Sequence, residues 1–310
     1  CHCQPNPWQK KGTQKIIEKD PLMINTTGEI NALLNLIEDP DDEVYQTITK
    51  RFIGFGQLVI PVLNEFQELT DDPVQVAKIN AIISQISISC IETAVTNWLN
   101  GEDQSVLEAS LFIAAYLNPE YDRDRLFFEI EKIRKTIWLE LNDYLTPLEE
   151  INILNKIIFG HYNYKGVELD YSTINHFDPS HLLANKLSNT FPLASVYLII
   201  AEMLGVTLLP ADVPKQNLLC YVEEGSSIIS VEGSDILFYI DPLNGQVYTH
   251  RDVENYVKKM NLAHPPVTYT PSNARNFVQR WIKEIAKAEQ SKGEVERHKA
   301  LMMLVSSMNA

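Results

Sequence analysis

The chain has 310 residues, 45% of them hydrophobic, enough for one large domain or two with a real apolar core. Lys and Arg number 26 against 41 Asp and Glu, a formal charge of -15, and that field repels nucleic-acid phosphates and anionic lipid surfaces. No run approaches the roughly 20 apolar residues of a membrane helix, so the sequence predicts no membrane span. Cys90 and Cys220 each sit among apolar neighbours and read as small buried hydrophobes in a reducing, cytoplasmic setting.

Residues 1–22 are polar and Lys-rich, without an apolar period. Three readings are open. Cys1 with its polar tether fits a lipid-anchored protein. Cys1-His2-Cys3 is a metal cluster short of a fourth ligand. The favoured reading takes Met23 as the natural start, because Met23 to Thr27 runs straight into the first helix signal.

That signal is Ile30, Leu33, Leu34 and Ile37 at i, i+3, i+4, i+7, with Thr27 as N-cap. Asp39-Pro40-Asp41-Asp42 ends the first helix and caps a second with face Val44, Ile48 and Phe52, closed by Gly54 and Gly56. A third carries Leu58, Val62, Leu63 and Phe66 inward. After Asp72-Pro73 comes a long helix with Val76, Ile79, Ile82, Ile83, Ile86, Cys90 and Trp98 inward. The two Asp-Pro breaks lie about one helical hairpin apart, so region 23–160 reads as HEAT-like. Further helices are expected over 105–117, 122–141 and 147–158, the last opened by a Thr146-Pro147-Leu148-Glu149 capping box and ended at Gly160.

Residues 161–179 are polar and aromatic without a period and predict a long surface loop that Tyr162, Tyr164 and Tyr171 pack onto the domain. Leu193, Val196, Tyr197, Ile200 and Leu204 then mark a buried helix closed by Gly205. Short strands are expected over 206–209, 218–222, 228–231 and 236–240, followed by an Asp241-Pro242-Leu243-Asn244-Gly245 turn and a strand at Tyr248. Thr249 caps another helix, and beyond Pro265-Pro266 two helices occupy 277–288 and 294–305. The order predicts an α+β fold: an all-helical HEAT-like N-terminal half over 23–160, a small antiparallel-sheet core over 161–268 and a helical C-terminal tail over 269–310.

A buried helix opening a small antiparallel sheet is the layout of papain-like and transglutaminase-like sites. There a thiol sits at the helix N-terminus, a histidine on the next strand and an acid on the one after. Four blocks carry a closer likeness: Leu145 to Phe159, the helix Leu193 to Gly205, Pro214 to Tyr221, and Phe238 to Gly245. Together they resemble the bacterial SirB-type transglutaminase-like family. The resemblance implies a transglutaminase-like core with the nucleophile at about Thr190, the base at Gln216 and the acid at Asp241. Only the acid keeps the required chemistry, because a threonine hydroxyl needs a base and a neutral amide is none. The expectation is therefore a non-catalytic binding or regulatory module, with Gln216 donating its amide to Asp241 and a protein as partner.

Two alternatives stand beside it. One is a hydrolase or transamidase using Cys220 or a hydroxyl such as Ser195, although Cys220 among Leu218, Leu219 and Val222 reads as core. The other is a helical-repeat interaction scaffold over Ile30 to Trp98. Asp241 itself reads first as a turn former. His176, Asp178 and His181 hold metal-ligating groups within six residues, but capping of the next helix is the simpler reading. No pattern calls for a cofactor.

Overall fold

The computed structural model describes residues 21–39, 41–223, 235–260 and 270–308, with side chains from Gly28 onward. The leader 1–20, the strand expected over 228–231 and Pro265-Pro266 lie outside the described residues. Among the described residues seven α-helices precede the first strand: α1 Pro21–Asn35, α2 Asp42–Phe55, α3 Ile60–Glu68, α4 Pro73–Asn100, α5 Val106–Leu117, α6 Arg123–Trp138 and α7 Pro147–Asn155. Most start where a short polar side chain can accept an orphan N–H. Asp41, Asp72, Ser105 and Asp122 do so for α2, α4, α5 and α6, and Thr146 with Glu149 forms the capping box of α7. Helix α1 begins at Pro21, six residues before Thr27, so Thr27 does not stand at the N-cap position expected of it.

Leu58 corrects the face expected of the third helix. It stands in a 3-10 turn, Gly56–Val59, and is 90% exposed, while Val59, Ile60 and Leu63 turn inward instead. The tighter 3-10 winding changes which residues share a side. The 28-residue helix α4 is long and apolar enough to cross a membrane by length and composition, where no run of the sequence was expected to be. Its first half, with Ile79, Ile82, Ile83 and Ile86, packs with Ile48, Phe52 and Leu63 in a front cluster. Its second half, with Ile91, Val95 and Trp98, belongs to the main core, which extends to Met308.

Gly160 does not end α7. A π-helical turn, Lys156–His161, follows directly, and Tyr162 N–H donates to the Ile157 carbonyl at 2.9 Å. The segment after it is not a surface loop. It forms β1 Lys165–Gly166 and a 3-10 turn Ile174–Phe177, and buries Tyr162, Tyr164, Ile174 and Phe177. Helix α8 Pro179–Asn185 leads to β2 Leu187–Ser188, which pairs in parallel with β1.

Helix α9, Thr190–Leu204, is buried at every residue from Phe191 to Ala201, as a helix apolar on all sides must be. Gly205 closes it at φ +74. An antiparallel meander follows in the order β3 Leu208–Pro210, β4 Leu219–Val222, β5 Ile236–Asp241, β6 Gln246–Tyr248. Leu219, Tyr221, Phe238 and Ile240 face the core that holds α9. Cys220, Val222, Ile236 and Tyr239 face Val253 and Val257 of α10, His250–Lys259. With both faces covered, β4 reads as an unbroken apolar run. Helices α11 Ala274–Ser291 and α12 Val295–Ser307 pack on each other and return to α4 and α5.

Candidate functional site

Three features converge at the N-terminus of α9. Asn189 caps it, its Oδ1 accepting Phe191 N–H at 3.0 Å, which sets Thr190 as the first helical residue. The β1–β2 pair, extended by Val167 N–H to the Ser188 carbonyl at 2.9 Å, lays residues 167–171 alongside. The register Leu219↔Ile240 puts the residues before β4 opposite the turn after β5. Thr190, Gln216 and Asp241 consequently line one cleft of about 400 Å³, joined by Asn217 and by Arg280 and Glu284 of α11.

The positions inferred from the resemblance thus share a cleft, but they are not joined as expected. Gln216 turns its amide away from Asp241 and donates to Tyr256 Oη at 3.1 Å. Asn217 Nδ2 lies 3.4 Å from Thr190 Oγ1. Asp241 Oδ1 accepts Leu243 N–H at 2.9 Å, and its carbonyl accepts Gly245 N–H at 2.7 Å, so its first role is in the turn. Burial raises the Asp241 carboxyl above the usual range, the Leu243 N–H opposes that, and the nearby Glu168 charge adds to it. Arg280 loses basicity to burial, and its Nη2 donates to the Gln216 carbonyl at 2.6 Å.

The turn is held from behind. Asn155, the last residue of α7, donates Nδ2 to the Gly245 carbonyl at 2.7 Å and accepts Tyr197 Oη of α9 at 2.5 Å. Gly245 lies at φ +75, and a Cβ there would fall 2.7 Å from the Asn155 side chain. Gly166 likewise touches the turn, since a Cβ there would collide with the Leu243 carbonyl oxygen. Tyr221 of β4 donates to Glu150 of α7 at 2.5 Å. Helix α7 is therefore the strut on which the other three resemblance blocks rest.

The alternative nucleophiles lie elsewhere. Cys220 is fully buried on the α10 face of the sheet, with Sγ against the Leu209 carbonyl at 3.5 Å, and burial pushes its thiol up to about 12. Ser195 is buried within α9 and donates to the Pro192 carbonyl at 2.8 Å. Asp178 caps α8 through Ser180 N–H and Oγ, each at 2.7 Å, and the His176 and His181 rings are 6.2 Å apart. Among the described residues no group of three or more His, Cys, Asp or Glu could hold a metal ion.

Asn217, Arg280, Asn155 and Glu168 were missed in the sequence. Asn155 and Asn217 stand inside the resemblance blocks, the one signal that pointed near them.

No curated protein and no solved structure matched the chain in these comparisons. A comparison with protein families matched residues 125–283, just over half of the sequence, to the transglutaminase-like superfamily. That span runs from within α6 to within α11 and contains α7, α9, the meander and the cleft residues Thr190, Gln216, Asn217, Asp241 and Arg280, with Glu284 and Lys287 just beyond it. The chain belongs to the transglutaminase-like superfamily.

Proposed function

We propose that this is a non-catalytic, SirB-type member of the superfamily, a bacterial cytoplasmic protein that uses the cleft to bind a protein partner. The observation that carries the reading is the lining itself: Thr190, Gln216 and Asp241 meet in one cleft whose described lining residues include no cysteine and no histidine. Covalent acyl transfer needs a nucleophile and a group to take its proton. Thr190 Oγ1 has an amide beside it, and an amide does not take a proton at neutral pH. Asp241 lacks an imidazole to orient, and its carbonyl and carboxylate serve the turn.

A helical-repeat scaffold over Ile30 to Trp98 is a second reading, supported by exposed Leu58, Leu69 and Val74 around α3 and the start of α4. Anchoring through Cys1 is the alternative to a cytoplasmic location. The test incubates the whole chain with a thiol-reactive acyl donor and a primary-amine probe, followed by intact-mass measurement. The expected result is no acyl adduct and no amine incorporation. Stoichiometric labelling of a native cysteine accompanied by turnover would overturn the non-catalytic reading.

A further inference from the structure

Gln216 and Asp241 line more than the first cleft. On their other side lies a second compartment of about 320 Å³, so the two residues form a saddle between halves of one groove. The charges are sorted along it. The second compartment carries Asp241 and Asp252, the rings of Tyr248 and Tyr256 and an apolar floor at Leu218 and Val253, with no cation among its described lining residues; Asp252 Oδ2 already accepts the N–H and hydroxyl of Thr249 in the capping box of α10, at 2.9 and 2.6 Å. The first compartment has Lys215, Arg280 and Lys287 beside Glu168, Asp241 and Glu284, so it is mixed in sign where the second is acidic. Lys287 is paired with Glu284 at 2.6 Å, whereas Arg280, near the charges of Asp212 and Glu284 and donating to the Ala211 and Gln216 carbonyls, makes no close ion pair among the described residues, and neither does Lys215. Glu168, also in the first compartment, stands close enough to Asp241 to repel its charge.

A third observation is independent of charge. Asn217 is 7% exposed and lines the groove, and its Oδ1 has no hydrogen-bond partner among the described residues. Buried acceptors are ordinarily satisfied, so this one calls for an N–H from an occupant.

We propose that the groove binds a peptide segment of a partner protein in which an arginine stands next to an acidic residue. The guanidinium takes the Asp241–Asp252 side, the carboxylate takes the Arg280–Lys215 side at the N-terminus of α9, and a backbone N–H satisfies Asn217 Oδ1. This deepens the proposed function and rests on its reading of the cleft as a binding site. Arginine fits better than lysine because its planar fork of N–H donors can serve two carboxylates and lie against tyrosine rings, while its stem covers an apolar floor. The N-terminal end of a 15-residue helix adds a favourable field for the carboxylate.

The experiment titrates full-length protein with capped, fluorescent Arg-Glu, Lys-Glu and citrulline-Gln hexapeptides by anisotropy, then weighs each recovered peptide. The Arg-Glu peptide should bind about tenfold or more tightly than the citrulline-Gln peptide. Asp252→Asn and Arg280→Gln should each remove most of that preference. Tyr248→Leu, which leaves the α10 capping box intact, should weaken the Arg-Glu peptide more than the Lys-Glu peptide. Equal binding of the charged and neutral peptides, or no binding, overturns the assignment whatever the masses show. Selective binding with a changed peptide mass supports it and overturns the non-catalytic reading instead.

Discussion

Asp178 is a carboxylate held in an unusual place, 4% exposed at the cap of α8, where burial lifts its pKa to about 6 against the pull of the Ser180 N–H and hydroxyl. The folded chain then holds this proton more tightly than the unfolded chain, whose Asp titrates near 3.9. Its contribution to stability falls as pH rises from about 4 to about 6 and is level beyond, by at most about 3 kcal/mol. Asp178→Asn keeps the cap and should flatten that stretch of a urea-midpoint profile against pH. At this scale the site positions were legible through the family resemblance rather than from residue type. Thr190, Gln216 and Asp241 do line one cleft. Which of Gln216 and Asn217 would face α9 was not legible. That depends on the tight 213–216 turn, where Lys215 adopts φ 59, a left-handed conformation its side chain does not announce.

Among the elements, α7 and its π turn do the work that strands alone do not. Asn155→Ala removes partners from both the Gly245 carbonyl and Tyr197 Oη and should cost about 2–3 kcal/mol. Gly166→Ala drives a Cβ into the Leu243 carbonyl and should cost about 1–3 kcal/mol by displacing the turn that carries Asp241. Urea denaturation checks both costs. Helices with caps and a steady apolar period were legible, as α2, α4, α9 and α11 attest. Residues 161–179 were not, because β1 is two residues long and its partner β2 lies beyond an intervening helix. A period needs more residues than that to declare itself.

The whole molecule is tied across its length by a buried polar cluster. Glu289 of α11, 2% exposed, accepts Tyr116 Oη of α5 at 2.8 Å and pairs with Arg297 of α12 at 3.5 Å. Arg297 Nε in turn donates to Ser84 of α4 at 3.1 Å. Arg297→Ala strands a buried carboxylate and should cost about 3 kcal/mol, Tyr116→Phe about 2 kcal/mol, and the double variant less than their sum. Chemical denaturation of the three variants measures that coupling. Such a cluster could not be read in advance, since Tyr116 and Glu289 stand 173 residues apart. The Asn155 bond to Gly245 closes over 90 residues. Loops of that span lose chain entropy before any contact repays it, so local helices form first and this closure comes late. During synthesis, then, the front helices emerge with the strut in place but nothing for it to hold. The cleft is complete only once the residues through Lys287 have left the ribosome.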